Sequence, residues 1–234
     1  MKNSISLFLP LRAGSTRVKR KNTRPFSNAG ESIFEIKLKQ IYELLDEVLE
    51  IVVSTNDQEV LDQIPKTWLH SKIKVVHRSE ELCTSTTPVA NLITHAAEAT
   101  SGDHILWVHA TAPFVNQADY RDALTLYRSE VIEHRNFDSL MSVNKIQQFI
   151  YDDESKKIIN SSSESNKWVN TQDLTPLFEI NHAFYINSRK NYESMNDRIG
   201  MQPALYICSG EKTIDIDWPE DFRIAKILYS SLIN

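Results

Sequence analysis

Short, uniformly apolar segments alternate with amphipathic segments along most of this chain of 234 residues. Apolar runs without polar alternation indicate strands that are buried on both faces, as they are in a parallel sheet. Parallel strands are joined by helices, which then cover both faces of the sheet. The sequence therefore predicts an α/β fold of three layers. The apolar runs lie at residues 5–9, 48–55, 72–77, 104–108, 137–143, 183–186 and 204–208.

The segments between the strands complete this pattern. Pro88 suits the first turn of a helix, and Thr87 is expected to cap it. Ligands of parallel sheets bind beyond the carboxyl ends of the strands, so the polar loops after the strands are expected to surround one site. The predicted helices lie at residues 32–45, 88–99, 116–127 and 219–232, and the loops begin at Leu11, Ser54, Arg78, His109 and Asn144.

The loop after the first strand is strongly basic. Residues 11–22 read Leu-Arg-Ala-Gly-Ser-Thr-Arg-Val-Lys-Arg-Lys-Asn. Exposed backbone N–H groups with several cationic side chains can hold a phosphate chain, and Arg12 and Lys21 are spaced to clasp one anion from two sides. The loop matches neither Gly-x-Gly-x-x-Gly nor a Walker A sequence. A phosphate-binding loop is favoured, and a solvated charged turn is the alternative.

Two acidic residues near the other end of the chain form a second candidate site. Asp215 and Asp217 alternate within residues 213–217, a segment predicted as a short strand, so that both carboxylates share one face. Such a pair repels unless a cation lies between its members or one of them is protonated. Mg²⁺ takes one or two carboxylates together with phosphate oxygens. Combined with the basic loop, the pair predicts a magnesium cofactor; two solvated acids at a strand edge are the alternative.

Composition narrows the class of protein. The formal net charge of −5 argues against a general nucleic-acid binder. No apolar run has membrane-spanning length, the start of the chain lacks a signal-peptide cleavage pattern, and Cys83 and Cys208 make neither a disulfide framework nor a metal set. We expect a cytoplasmic protein with no nucleic-acid or membrane partner.

The chain shows no linker or repeat, which predicts one domain over residues 1–234. Residues 144–180 interrupt the regular pattern, since they are polar and have little periodicity. A long irregular segment within a compact domain is usually functional, disordered or an interaction element. Its role is not determined by the pattern alone.

Six blocks, in order, resemble the CMP-sialic acid synthetase (acylneuraminate cytidylyltransferase) family. The first resembles the family's opening signature, and the last resembles its Ile-Asp-Ile-Asp metal motif. The blocks lie at residues 9–22, 51–57, 78–82, 110–114, 181–186 and 213–217. The resemblance covers nearly the whole chain. It implies a Rossmann-like nucleotidyltransferase fold with a mostly parallel sheet, and an enzyme that uses CTP to activate a 2-keto-3-deoxy sugar acid as its CMP-sugar, with release of pyrophosphate.

The resemblance also implies roles for individual residues. Arg12, Lys21 and Asp217 are implied as catalytic, and Asp215 and Asp217 as ligands of Mg²⁺. Residues 144–180 correspond to an inserted arm that reaches a second subunit, which implies a homodimer. The implied nucleotide contacts are Leu11, Arg12, Ala13, Gly14, Ser15, Asn22, Arg78, Thr86 and Thr87, and the implied sugar contacts are His109, Thr111, Asn181 and Tyr185.

The departures from the family lie on the sugar side. His109 stands where the family has glutamine, and His182 replaces a glycine. The family's partner-subunit aromatic residues are absent near Arg198-Ile199. We therefore expect the same nucleotide and an acid other than N-acetylneuraminate, with eight or nine carbons. Three alternatives stay open: a CMP-Kdo synthetase, another sugar nucleotidyltransferase, and a nucleotide-binding module without turnover.

Overall fold

The structure, a computed structural model, describes residues 3–69, 72–161 and 168–232. Its strands are β1 (Ile5–Pro10), β2 (Glu50–Thr55), β3 (Ile73–His77), β4 (His104–Val108), β5 (Ser139–Ile146), β6 (Tyr151–Asp152), β7 (Lys157–Ile158), β8 (Leu177–Ser188) and β9 (Pro203–Cys208). Its α-helices are α1 (Ile33–Tyr42), α2 (Gln58–Gln63), α3 (Val89–Ala99), α4 (Gln117–Tyr127), α5 (Arg189–Met195) and α6 (Pro219–Leu232). None of the helices in these described ranges is long and apolar enough to cross a membrane.

The described strands form a seven-stranded sheet in the order β3-β2-β1-β4-β8-β5-β9, and β6 and β7 form a separate hairpin. Within the large sheet only β8 is antiparallel to its neighbours, β4 and β5. The pairs β1–β2, β1–β4, β2–β3 and β5–β9 are parallel. The predicted α/β fold with a mostly parallel sheet is confirmed. Because β1, β2, β3, β4 and β5 point the same way, their carboxyl ends meet at one edge.

Helices cover both faces of the sheet. Alternate residues of β1 point to opposite faces: Leu7 and Leu9 pack with α1 and α4, whereas Phe8 packs with α3 and α5. All three side chains are fully buried, which explains why this strand lacks polar alternation. Burying each such side chain contributes about 1.5–3 kcal/mol. A third apolar cluster anchors α6 through Phe222 and Tyr229.

Local sequence signals fix several helix starts. Ser32 and Glu35 form a capping box at α1, and Asn116 begins α4 in the same way; each pairs side chains with otherwise unbonded backbone N–H groups. The expected cap of α3 is wrong. Pro88 occupies that position without a side-chain hydrogen bond, because the hydroxyl of Thr87 donates instead to the Glu81 carbonyl.

The strand predicted at residues 213–217 is absent from the structure. A 3₁₀ turn at Gly210–Thr213 leads into this segment, and the backbone N–H of Ile216 donates to the carbonyl of Thr111 at 2.9 Å. The Ile216 side chain is fully buried in the third apolar cluster. The alternation of apolar and acidic residues therefore reflects the burial of the Ile216 side chain and does not require pairing with a neighbouring strand.

Residues 144–180 contain more regular structure than their sequence predicts. The ends of this segment belong to β5 and β8 and pair with each other. The β6–β7 hairpin and a 3₁₀ turn at Thr171–Asp173 lie between them. Residues 162–167, which also belong to the predicted arm, lie outside the described residues.

Candidate functional site

The loop after β1 and the residues after β4 line a pocket of about 220 Å³. These strands are parallel neighbours, so their carboxyl ends deliver both loops to one place. The pocket is lined by Pro10, Leu11, Arg12, Ser15, Thr16, Arg17, Lys21, Asn22, His109, Ala110 and Thr111. Four residues predicted to contact the nucleotide, together with the predicted catalytic residue Lys21, therefore share a cavity with two residues predicted to contact the sugar.

The backbone of the basic loop is held in place by groups from neighbouring loops. The N–H of Ala13 donates to Asn56 Oδ1 at 2.9 Å, and the N–H of Leu11 donates to the carbonyl of Ser54 at 2.9 Å. Gly14 has a φ of 71°, a left-handed conformation that glycine adopts without steric cost. These contacts fix the start of the loop against the end of β2.

Arg78 supports the loop from behind. Its side chain is buried, with Nη2 donating to the Leu11 carbonyl at 2.5 Å and Nε to Cys83 Sγ at 3.1 Å. Thr86 and Thr87 lie in an exposed turn, where both hydroxyls bond that of Thr84. These three predicted nucleotide contacts are not among the residues that line the pocket, and their contact with a nucleotide stays a prediction.

The basic loop touches the acidic segment from the far end of the chain. Lys21 Nζ donates to the carbonyl of Ile216 at 2.7 Å and to Asp217 Oδ1 at 3.2 Å. Arg17 Nη2 lies 3.4 Å from Asp217 Oδ2, and the guanidinium of Arg17 also covers the ring of Trp218 at 4.9 Å. The candidate phosphate-binding loop and the candidate metal segment are therefore parts of one site.

Asp215 is the more enclosed of the two carboxylates. Its Oδ1 is buried and has no hydrogen-bond partner among the described residues. Burial raises the pKa of Asp215, and the charge of Asp217 adds to this, while a hydrogen bond with Thr111 and the charge of Lys21 oppose it. A buried, unpaired carboxylate oxygen beside a second carboxylate suits a bound cation.

The fit of a metal ion rests on these two acids. Among the described residues, no group of three or more His, Cys, Asp and Glu side chains is arranged to hold a metal ion. Mg²⁺ commonly uses one or two carboxylates and completes its coordination with water and phosphate oxygens. Asp215 and Asp217 therefore fit a magnesium ion that is bound together with a phosphorylated ligand.

The predicted sugar side forms an aromatic cluster around one arginine. Arg198 Nη1 lies 3.4 Å from His109 Nε2. The guanidinium of Arg198 also lies 4.3 Å from the ring centre of Tyr185 and 5.3 Å from that of Trp107. Burial lowers the pKa of His109 well below its ordinary value, and the charge of Arg198 lowers it further. His109 is thus a neutral hydrogen-bonding group near pH 7.

A model of the protein family described as cytidylyltransferase matches residues 7–230. The chain belongs to this family. A pseudaminic acid cytidylyltransferase from Campylobacter jejuni is 25% identical to it over 226 residues, which cover 94% of each chain. An N-acylneuraminate cytidylyltransferase from Escherichia coli is 23% identical over 226 residues, or 96% of this chain and 52% of that protein. The predictions of family and enzyme class are confirmed.

Solved structures agree with the fold of this cytidylyltransferase. The 4-diphosphocytidyl-2C-methyl-D-erythritol synthase from Anaerococcus prevotii has a TM-score of 0.61 and 15% identity, covering 97% of this chain and 98% of that one. A CMP:2-keto-3-deoxy-manno-octonic acid synthetase complexed with CTP has a TM-score of 0.61 and 14% identity, covering 97% and 99%. These two likenesses, which cover nearly the whole of each chain, confirm the predicted fold class.

Two further predicted sugar contacts of the cytidylyltransferase take part in hydrogen bonds within β8 and β5. Asn181 Nδ2 donates to Asn144 Oδ1 at 2.8 Å, and Asn181 Oδ1 accepts from the Ala183 N–H at 3.2 Å. The hydroxyl of Tyr185 lies 2.6 Å from His182 Nδ1. His182 has a φ of 57°, the left-handed conformation expected where the family has glycine. Neither Asn181 nor Tyr185 is among the residues that line the pocket.

Sequence reasoning did not single out the residues whose contacts join the parts of the site, of which Asn56, Arg17 and Arg198 are examples. Asn56 follows β2 within one of the six family-like blocks, so its position was a usable signal. Arg17 lies within the basic loop itself, but nothing in the sequence singles it out as the partner of Asp217. Arg198 lies far along the chain from His109, and only the folded structure shows that the two residues are neighbours.

Proposed function

We propose that this cytidylyltransferase transfers CMP from CTP to the anomeric hydroxyl of a 2-keto-3-deoxy sugar acid and releases pyrophosphate. The observation that carries the proposal is the contact of Lys21 with Asp217 at 3.2 Å, because it joins a basic, phosphate-binding type of loop to a pair of carboxylates. The relatives support the acceptor class, since their names specify pseudaminic acid and N-acylneuraminate.

The cationic residues of the loop would neutralise the triphosphate. Arg12 and Lys21 both line the pocket and are placed to offset the charge that develops on the leaving pyrophosphate. The backbone around Gly14 and Ser15 offers N–H groups to the same phosphates. Catalysis then depends on positioning and charge neutralisation rather than on a dedicated general base.

Asp215 and Asp217 would hold Mg²⁺ in the loaded enzyme. The bound ion would polarise the α-phosphate and lower the pKa of the attacking hydroxyl. Lys21 and Arg17 offset the negative charge of Asp217, which reduces its repulsion of the Asp215 carboxylate.

The sugar side favours an acid other than N-acetylneuraminate. His109 lines the pocket in a neutral form, offering a single ring N–H donor where the resemblance leads us to expect the amide of glutamine. Arg198 adds a positive charge beside it. Pseudaminic acid is the first acceptor to test, because the relative named for it matches this chain along 94% of both lengths.

We further propose that the enzyme is a cytoplasmic homodimer. Phe178 and Ile180 of β8 and Ile207 of the edge strand β9 are large apolar side chains that face solvent. Phe178 and Ile180 lie within the predicted dimerisation arm, residues 144–180. The cysteines, Cys83 and Cys208, are buried and unpaired, which suits a reducing compartment.

The proposal is tested by measuring pyrophosphate release from CTP and Mg²⁺ with pseudaminic acid, N-acetylneuraminic acid or 2-keto-3-deoxy-manno-octonic acid. We expect acid-dependent release that is fastest with pseudaminic acid and stops when Mg²⁺ is chelated. Controls omit the acid or replace CTP by ATP. Well-folded protein that releases no pyrophosphate with any acid contradicts the proposal. If that protein still binds CTP in a titration, it is better described as a nucleotide-binding module without turnover.

A further inference from the structure

Arg198 is a cation that lacks a carboxylate partner among the described residues. The ion pairs formed within that part of the chain do not include it. Its guanidinium lies instead over the rings of Tyr185 and Trp107 and beside the imidazole of His109. The side chain is half-buried, so it has given up part of its hydration without gaining a counter-ion.

In this environment the guanidinium of Arg198 is suited to bind an anion. The guanidinium lies over two aromatic rings, an arrangement in which cation–π attraction favours the charged group. A guanidinium has five N–H donors, and the long contact with His109 at 3.4 Å occupies one of them. Planar, pre-oriented N–H donors match a carboxylate in bidentate geometry. His109 cannot act as the counter-ion, because it is a base that carries no negative charge.

The position of Arg198 agrees with the proposed chemistry. Arg198 contacts His109, and His109 lines the pocket together with Arg12 and Lys21, so the arginine borders the candidate site. In a 2-keto-3-deoxy sugar acid, the carboxylate is bonded to the carbon that bears the attacking hydroxyl. Any group that binds the carboxylate must therefore lie within a few bond lengths of the reacting oxygen.

The cations of the basic loop already have other roles. Arg17 and Lys21 are paired with Asp217, and Arg12 lines the pocket proposed for the triphosphate. We propose that Arg198 binds the carboxylate of the sugar acid and thereby orients its anomeric hydroxyl. This inference rests on the proposed function and makes Arg198 a specificity residue that selects acids over neutral sugars.

The test compares Arg198→Met and Arg198→Gln with the wild-type enzyme, after thermal unfolding has shown that the variants fold. We expect the KM for the sugar acid to rise about 10- to 100-fold, the loss of one charge-assisted hydrogen-bonded pair, while the KM for CTP changes less than about twofold. Arg198→Lys should restore part of the loss. Arg223→Met, which alters an exposed arginine of α6, is the matched control and should behave like the wild type.

A neutral analogue separates binding from a structural role. The methyl ester of the same acid, used as a competitive inhibitor, should have the same inhibition constant with wild-type enzyme and with Arg198→Met. Equal losses of affinity for the acid and the ester, or an unchanged KM for the acid, would overturn the role of Arg198. Either result would leave the proposed function unaffected. Absence of turnover by the wild-type enzyme with every acid overturns the proposed function and this inference with it.

Discussion

A buried lysine supports the candidate site without facing it. Lys37 of α1 is fully buried, and its Nζ donates to the carbonyls of Ala112 and Val115 and to the hydroxyl of Tyr120 at 2.5–2.9 Å. It thereby fixes the turn that follows the pocket residue Thr111. Burial lowers the pKa of Lys37 to about 7, although the charge of Asp119 opposes this shift.

The low pKa of Lys37 predicts a pH-dependent stability. Between pH 7 and pH 10 the unfolded chain keeps the Lys37 proton while the folded chain releases it, so stability rises with pH by at most about 1.4 kcal/mol per unit. Lys37→Met removes this dependence. The free energy of unfolding should be measured with urea from pH 6 to pH 9.5. Above pH 7, the wild type should gain stability with rising pH relative to the variant. Parallel curves would contradict the shifted pKa.

Asp217 is expected to be essential for turnover but not for CTP binding. Asp217→Ala removes a proposed metal ligand and frees Arg17 and Lys21 for the phosphates, so turnover should fall about 100-fold or more with little loss of CTP affinity. Turnover assays and calorimetric titration measure the two effects. Asp153→Ala, in the exposed turn between β6 and β7, is the control. Unchanged turnover would remove Asp217 from the mechanism.

At the scale of elements, the loop after β1 depends on its neighbours for its shape. Asn56 links this loop to the turn that follows β3, because it accepts from the Ala13 N–H and donates to Glu80 at 3.0 Å. A loop that presents N–H groups to phosphates binds them more weakly when it samples more conformations, because binding must then order it.

Asn56→Ala therefore tests the pre-organisation of the loop. Loss of one buried or half-buried hydrogen bond costs about 1 kcal/mol, so the Kd for CTP should rise roughly fivefold while the KM for the acid stays nearly constant. Gln58→Ala removes an exposed side-chain bond to Asp62 and serves as the control. Equal CTP affinities for the two variants would show that the Asn56 contact does not shape the nucleotide site.

Most elements could be predicted from the sequence, and the failures have physical reasons. Uniformly apolar runs located the central strands because both faces of the sheet are covered. The predicted strand at residues 213–217 was wrong, since alternation reports burial of Ile216 but not the presence of a neighbouring strand. The antiparallel direction of β8 is set by tertiary contacts with β4 and β5, which leave no mark in its own composition.

At the scale of the molecule, the sheet brings the two ends of the chain together. The family resemblance paired the basic loop with the acidic segment, and Lys21 and Asp217 are indeed in contact. Arg198 and His109 could not be paired in this way, because their contact depends on how the chain returns after α5. The site is thus more predictable on its phosphate side than on its sugar side.

The assembly of the molecule gives a further prediction. Phe178→Glu places a charge on the apolar face proposed as the dimer interface, and sedimentation should show conversion of a dimer to a monomer. Phe137→Glu is a matched control, since Phe137 is 40% exposed and Phe178 39%, and Phe137 lies outside residues 144–180. A wild-type monomer, or dimers in both variants, would contradict this interface.

Transfer of CMP to a sugar acid can be observed in a single experiment, ³¹P NMR of the complete reaction. With CTP, Mg²⁺ and pseudaminic acid, we expect the three CTP signals to be replaced by equal amounts of pyrophosphate and a new phosphodiester, and only when the acid is present. The same spectra recorded with N-acetylneuraminic acid and 2-keto-3-deoxy-manno-octonic acid extend the test across the acceptor class. Unchanged CTP with all three acids, or acid-independent release of phosphate, would contradict CMP transfer by this enzyme.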